Sequence, residues 1–162
     1  MKRIILFLAI AVSLASCSTE SVQEVEALAT IEVTATTSTH TEGEILALVN
    51  NHRAGLGLSA LELDNTVYQY ATEHNQYMVN QGTTSHDNFT ARAKSLTSKT
   101  NAVGVAENVA VGSQLNANIA VNGWLGSVPH KESIEGDFTH TGISVLTNDE
   151  GLTYFTQIFI KK

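Results

Sequence analysis

The chain has 162 residues, of which 43% are hydrophobic, and it contains one proline and eleven glycines. This length suits one compact domain with short appendages, and the composition excludes a fibrous or low-complexity protein. Nine basic and sixteen acidic residues give a net charge of -7. Because nucleic-acid binding requires clustered Lys and Arg, this charge disfavours DNA or RNA as a partner.

The N-terminal segment MKRIILFLAIAVSLAS has two basic residues before an apolar run of signal-peptide length, too short for a stable membrane span. It ends in LASC at residues 14–17, which resembles the lipobox of bacterial lipoproteins. The alternative is an ordinary signal peptide followed by a chance cysteine. We favour a lipoprotein signal peptide over residues 1–16 and lipid on Cys17, the only cysteine of the chain. Acyl chains on Cys17 would anchor the exported protein in the bacterial cell envelope, at the outer membrane or cell surface rather than the cytoplasmic membrane.

Residues 17–40 are rich in Thr, Ser, Glu and Val and have no sustained period. This composition predicts a lipidated flexible tether, with the folded domain over residues 41–162. The first helix of that domain is expected to begin at Thr41, because Thr41 and Glu44 have the spacing of a capping box. Gly55 supplies its expected end.

The rest of the chain shows further helical patterns and then strand patterns. Asp64 is the predicted N-cap of a second helix that ends at Gly82. The sequences TGISVLT and LTYFTQIFI flank a turn at residues 148–151 and predict a β-hairpin. Helices first and strands later indicate an α+β fold with helices packed on a central antiparallel sheet. The other predicted segments are a short helix at 89–96, a strand at 103–111, a helix at 116–125 and an irregular loop at 126–139.

Glu107 lies in the otherwise apolar segment VAENVAV, where a carboxylate requires a partner if it is buried. His86 precedes it in a polar loop, and His130 and His140 follow it. Two imidazoles and a carboxylate can bind Zn²⁺ and leave one position open to water. A hydrogen-bonded network around Glu107 would explain the same residues without a metal, and both interpretations remain open. Arg92 is expected to pair with a carboxylate near this cleft.

The other histidines have simpler interpretations. His52 and His74 lie on apolar helix stripes, which predicts core or boundary positions rather than metal ligands. His130 follows Pro129 in the expected loop, so that exposure to solvent is favoured over a role in the cleft. No GxSxG segment is present, and this disfavours a serine hydrolase.

Seven segments in order resemble the CAP superfamily of cysteine-rich secretory proteins, antigen 5 and pathogenesis-related 1 proteins, in its cysteine-poor bacterial branch. They are LVNNHRAGLGLSALELD, YATEHNQYM, SHDNFTAR, AENVAVG, NGWLGSVPHKESI, FTHTGISV and YFTQIF. The resemblance extends from about residue 44 to residue 160. It implies an α-β-α sandwich with a cleft lined by two histidines and two glutamates.

Residue by residue, the resemblance assigns His86 as the first histidine, Glu107 as the first glutamate and His140 as the second histidine. Ser127 stands where the second glutamate is normally found, so the set is incomplete, and His130 is a candidate to fill the gap in part. The implied cofactor is Zn²⁺ or another divalent metal.

We therefore expect an envelope lipoprotein whose cleft binds a metal ion and a small apolar, lipid or peptide ligand without robust catalysis. The alternatives are a metal-assisted hydrolase with Glu107 as general base, and a structural or adhesive surface protein with a vestigial cleft. Lipid on Cys17 would make the membrane a partner, whereas the oligomeric state is not predicted.

Overall fold

The computed structural model describes the backbone of residues 22–162 and the side chains of residues 39–162. The predicted signal peptide and Cys17 lie outside these residues and stay predictions. Residues 34–162 form one compact unit, and residues 22–33, which belong to another, are helical. The helices are α1 (Val22–Gly55), α2 (Asn65–Gln81), α3 (Phe89–Thr100), α4 (Ala117–Leu125) and α5 (Val128–Glu135). The strands are β1 (Glu62–Leu63), β2 (Gly104–Ser113), β3 (His140–Thr147) and β4 (Leu152–Lys161).

The four strands form one sheet in the order β1-β3-β4-β2. The pairs β3/β4 and β4/β2 are antiparallel, as predicted, whereas β1 pairs in parallel with β3 and makes the sheet mixed. The predicted β3–β4 hairpin is confirmed, and Gly151 has the positive φ of 77° that its turn requires. The Asn148 carboxamide oxygen accepts from the Glu150 and Leu152 backbone amides and fixes that turn.

Strand β4 is the centre of the sandwich, and its side chains alternate between two buried faces. Phe155 and Phe159 pack in the core that α1, α4 and α5 cover, whereas Ile158 and Ile160 pack in the core beneath α2 and α3. At Gly142 of β3 the backbone of α2 comes so close that any Cβ would clash with it. The predicted α-β-α sandwich is therefore confirmed.

Helix α1 begins well before the predicted start at Thr41. The backbone of residues 22–40, expected as a tether, is helical, and this stretch contains no proline or glycine that would end a helix. Thr41 thus lies inside α1, and the predicted capping box with Glu44 is wrong. Glu42 instead accepts a hydrogen bond from the Val145 backbone amide of β3 at 3.0 Å.

The predicted caps of α2 are confirmed, because Asp64 accepts from the Val67 backbone amide and Gly82 adopts a left-handed conformation. Helix α4 is likewise capped by the Asn116 side chain. The irregular loop predicted over 126–139 is wrong for residues 128–135, which form α5. Pro129 lies in the first turn of α5, where its missing N–H group is not needed.

Arg53, near the end of α1, holds α5 in place. Its buried guanidinium donates to the backbone carbonyls of Ser59, Ile134, Gly136 and Phe138. Burial lowers the pKa of Arg53, and nearby Asp137 opposes that shift. Arg53 thereby ties α1 to the connection between α5 and β3, and this contact helps to position the helix that carries His130.

Candidate functional site

The predicted site residue Glu107 lies on β2, the strand at one end of the sheet. Its direct neighbour on β4 is Ile158, which packs beneath α2 and α3, and Glu107 points to the same side. The Glu107 side chain is only 1% exposed. A carboxylate so deeply buried requires charged or hydrogen-bonding partners, and three of them surround it.

The first partner is Arg92 of α3, whose guanidinium donates hydrogen bonds to both carboxylate oxygens. Its Nε donates to Oε2 of Glu107 at 2.8 Å, and its Nη2 donates to Oε1 at 2.8 Å. Bidentate, charge-assisted hydrogen bonds of this kind are among the strong ones in proteins. The predicted pairing of Arg92 with a carboxylate is confirmed, and that carboxylate is Glu107.

The second partner is His86, in the loop between α2 and α3. His86 Nδ1 lies 3.0 Å from Oε1 of Glu107. Because an ionised carboxylate can only accept, the proton of this hydrogen bond is on Nδ1, and in the neutral form of the imidazole Nε2 keeps its lone pair. Since the His86 side chain is 49% exposed, that lone pair is available to a ligand from solvent.

The third partner is His74 of α2, which sequence reasoning had placed in the core or at its boundary. Its ring is buried, as expected, but Nε2 lies 3.6 Å from Oε1 of Glu107. The same Nε2 donates to the Ser85 carbonyl at 2.8 Å and so fixes the loop before His86. Burial lowers the pKa of His74, although Glu107 acts in the opposite direction.

His130 approaches from the other layer of the sandwich. It lies on α5, and its ring centroid is 6.2 Å from that of His86. Burial and the neighbouring His86 lower the pKa of His130, which favours the neutral imidazole. The favoured expectation of an exposed loop residue is therefore wrong, because His130 is partly buried and lies in α5. Its role in a cleft stays a prediction.

Sequence reasoning missed Asn108, which secures His130. Its side chain points to the face opposite that of Glu107 and donates to the His130 carbonyl at 2.9 Å. Strand alternation was the available signal, because neighbours in β2 must face opposite layers. Adjacent residues of β2 thus hold the two histidines, one on each side of the sheet.

His140 does not join this cluster. It lies on β3 opposite Ile160, and β4 separates it from Glu107. Its Nδ1 is hydrogen-bonded to Thr139 Oγ1 at 2.8 Å, and its Nε2 is 3.9 Å from Oε2 of Glu62. The predicted metal site of His86, His140 and Glu107 is therefore wrong as a set, because the strand order keeps His140 away.

Ser127, which stands where a second glutamate was expected, is the N-cap residue of α5. It begins the helix that carries His130 and contributes no carboxylate to the cleft. Within residues 39–162, no three His, Cys, Asp or Glu side chains are grouped so that they could hold a metal ion. The His86 side chain is about half exposed and His130 is partly buried, whereas the Glu107 carboxylate is buried and hydrogen-bonded to His86.

Comparisons with known proteins agree with this fold. The profile of the CAP family, described as the cysteine-rich secretory protein family, matches residues 46–159. The uncharacterized membrane protein YlbC of Bacillus subtilis is 32% identical over 130 residues, which cover 76% of this chain and 35% of that protein. The chain thus spans about a third of the length of that relative.

Solved structures show the same architecture. An outer surface protein of Borrelia burgdorferi has a TM-score of 0.65 at 23% identity, over 76% of this chain and 93% of that one. An extracellular protein with an SCP domain from Bacillus anthracis has a TM-score of 0.64 at 26% identity, over 77% of this chain and 41% of that one. The first of these likenesses concerns the fold alone.

Proposed function

The chain belongs to the cysteine-rich secretory protein (CAP) family, and from this premise we propose that it is a cell-envelope protein whose cleft binds a ligand without hydrolysing it. The observation that carries the proposal is that the Glu107 carboxylate is fully engaged in hydrogen bonds. Both of its oxygens are engaged, one by Arg92 alone and the other by Arg92 and His86.

A general base must present a lone pair to the water molecule that it activates. The Glu107 carboxylate is 1% exposed and forms an ion pair with the Arg92 guanidinium. Accepting a proton from water would neutralise the carboxylate and break that ion pair. Its geometry suits the orientation of His86 much better than proton transfer. This argument favours a binding module over the metal-assisted hydrolase.

The proposed metal ligands are His86 and His130, in place of the set that includes His140. A histidine ligand that donates its other N–H group to a carboxylate is a common arrangement in metal sites, and the His86–Glu107 pair has this form. The remaining positions would be open to water or ligand, which suits an exchangeable site for Zn²⁺ or a similar divalent ion. A metal bound there would supply a Lewis acid to an oxygen atom of the ligand. That ligand is, as in the sequence prediction, a small apolar, lipid or peptide molecule.

The proposed location is the cell envelope, with lipid on Cys17 as the anchor. The relatives include a membrane protein, an outer surface protein and an extracellular protein, which supports export. In the part of the chain that the structure describes, none of the helices has the length and apolar character needed to cross a bilayer. Labelling with a radioactive fatty acid in a bacterial host tests the anchor, since Cys17→Ala should abolish incorporation.

A calorimetric Zn²⁺ titration near neutral pH tests the binding site. We expect saturable binding in the parent protein and its loss in His86→Ala and in His130→Ala. His140→Ala is the matched control, because it removes an imidazole that lies away from the cluster. If His140→Ala abolished binding and His130→Ala did not, the site would be misassigned.

The two alternative functions predict different experimental results. No saturable binding in the parent would favour the structural or adhesive protein with a vestigial cleft. Turnover of peptide or ester substrates by the parent, lost on Glu107→Gln, would restore the hydrolase.

A further inference from the structure

Two buried carboxamides lie side by side on the face of the sheet opposite Glu107. Asn108 of β2 and Gln157 of β4 are direct neighbours in the antiparallel register, and both residues are 0% exposed. Neither Asn108 Oδ1 nor Gln157 Oε1 accepts a hydrogen bond from any residue that the structure describes. A buried polar atom without a partner is rare, because it loses its hydrogen bonds to solvent on folding. The two oxygens therefore indicate a donor that residues 39–162 do not supply.

The orientation of both carboxamides follows from their other hydrogen bonds. The hydroxyl of Thr141 donates its single proton to the Ile158 carbonyl at 2.8 Å. It can therefore only accept from Gln157, at 3.2 Å, and this places the NH₂ group of Gln157 at that contact. Asn108 likewise directs its NH₂ group to the His130 carbonyl at 2.9 Å. Exchanging the oxygen and nitrogen of either carboxamide would break one of these bonds, so that both oxygens are correctly assigned.

The two oxygens cannot pair with each other, because carboxamide oxygens only accept. The Cβ atoms of directly opposite residues in an antiparallel pair lie about 4.5–5.5 Å apart. One small molecule with two O–H groups can therefore donate to both oxygens. A water molecule has this form and no charge, whereas a cation buried without a carboxylate would lose its hydration uncompensated. The residues that flank Asn108 on this face of β2 are Ala106 and Ala110, whose short side chains favour space for such a molecule.

We propose that an internal water molecule bridges Asn108 Oδ1 and Gln157 Oε1, in the layer between the sheet and the helices α1, α4 and α5. The water holds the Asn108 carboxamide from one end, while the other end donates to the His130 carbonyl of α5. It therefore helps to fix α5 on the sheet. Neither oxygen is a proposed metal ligand, so that the inference does not depend on the proposed function.

A high-resolution crystal structure of the purified protein tests the proposal directly. We expect one density peak within about 2.7–3.2 Å of both oxygens. Asn75 of α2 is the internal control, because its carboxamide is equally buried in the other layer and its Oδ1 accepts from Thr156 at 2.6 Å. No such peak should lie beside Asn75. A structure without a peak at Asn108 and Gln157, or with these oxygens bonded to protein donors, would overturn the proposal.

Thermal unfolding of Gln157→Met provides a second test. The variant removes one of the two oxygens that hold the water and leaves Asn108 Oδ1 unpaired, so that the Tm should fall by about 3–6 °C. A Tm that stayed the same or rose would show that Gln157 Oε1 has no partner in the parent, and the bridge would be refuted. Gln76→Met makes the same change at an exposed position of α2 and should shift the Tm by less than about 1 °C.

The salt in the buffer distinguishes water from a monovalent cation at this position. Replacing sodium chloride by tetramethylammonium chloride at equal ionic strength should leave the Tm of the parent unchanged, because a bound water requires no cation. A clear fall in the Tm would show that Na⁺ occupies the site and would overturn the assignment of water.

Discussion

The Nδ1–H group of His86 donates to Oε1 of Glu107 across 3.0 Å, and this bond fixes the tautomer of the more exposed histidine of the cleft. Arg92 forms an ion pair with the same carboxylate, so that the group that accepts from His86 is itself fixed in place. A ligand that meets Nε2 of His86 therefore meets a ring whose orientation is already set. Such preorganisation lowers the cost of binding.

Arg92→Ala should strongly destabilise the fold, because it leaves the Glu107 carboxylate buried without its countercharge. We expect a loss of about 3–5 kcal/mol in the free energy of unfolding, measured by urea denaturation. Lys94→Ala, an exposed change on the same helix, should cost less than about 0.5 kcal/mol. Similar losses in the two variants would show that the ion pair does not stabilise the fold.

Glu107→Gln distinguishes an orienting residue from a metal ligand. If Glu107 acts through His86, the variant should still bind Zn²⁺, with an affinity lower by about tenfold to a hundredfold, as is typical when an outer partner of a ligand is lost. If Glu107 were itself a ligand, calorimetry should show as complete a loss as in His86→Ala. Circular dichroism checks that the variant remains folded.

The fold was largely predictable because its signals are local. The caps Asp64 and Gly82 and the turn ending at Gly151 depend on a few neighbouring residues, and all three are confirmed. The start of α1 was wrong because a capping-box pattern at Thr41 also occurs inside helices. Helix α5 was missed because Pro129 was interpreted as a loop residue, although proline also suits a first helical turn.

The site was only partly predictable because its geometry depends on strand order. Glu107 could be recognised from its apolar surroundings, and His86 from its neighbouring polar loop and the family resemblance. The choice between His130 and His140 required the knowledge that β4 lies between β2 and β3. Nothing in the local sequence around His140 contains that information.

Arg53 is a buried cation whose hydrogen bonds give it a structural role. Arg53→Met should leave several backbone carbonyls of the α5–β3 connection without donors. We expect a loss of about 3 kcal/mol in the free energy of unfolding, since each buried unpaired group costs about 1–3 kcal/mol. Urea denaturation measures it, with Asn51→Ala on the exposed side of α1 as control. A loss below about 0.5 kcal/mol would contradict this role.

We expect Glu42 to make the stability of the folded protein dependent on pH. Burial raises the pKa of Glu42 from 4.5 to about 7, although the hydrogen bond from the Val145 backbone amide acts in the opposite direction. Because the pKa in the folded state is the higher one, the contribution of Glu42 to stability is fully present below pH 4.5 and is lost as the pH rises through about 7.

Glu42→Gln keeps an oxygen that can accept from Val145 and removes the charge. The variant should match the parent at about pH 4 and be more stable by about 1 kcal/mol at about pH 8, a value reduced because the group is partly exposed. Urea denaturation at the two pH values provides the measurement. Glu44→Gln, at a more exposed position of α1, should show no such dependence. If the difference between Glu42→Gln and the parent were the same at both pH values, the buried carboxylate would not be the titrating group.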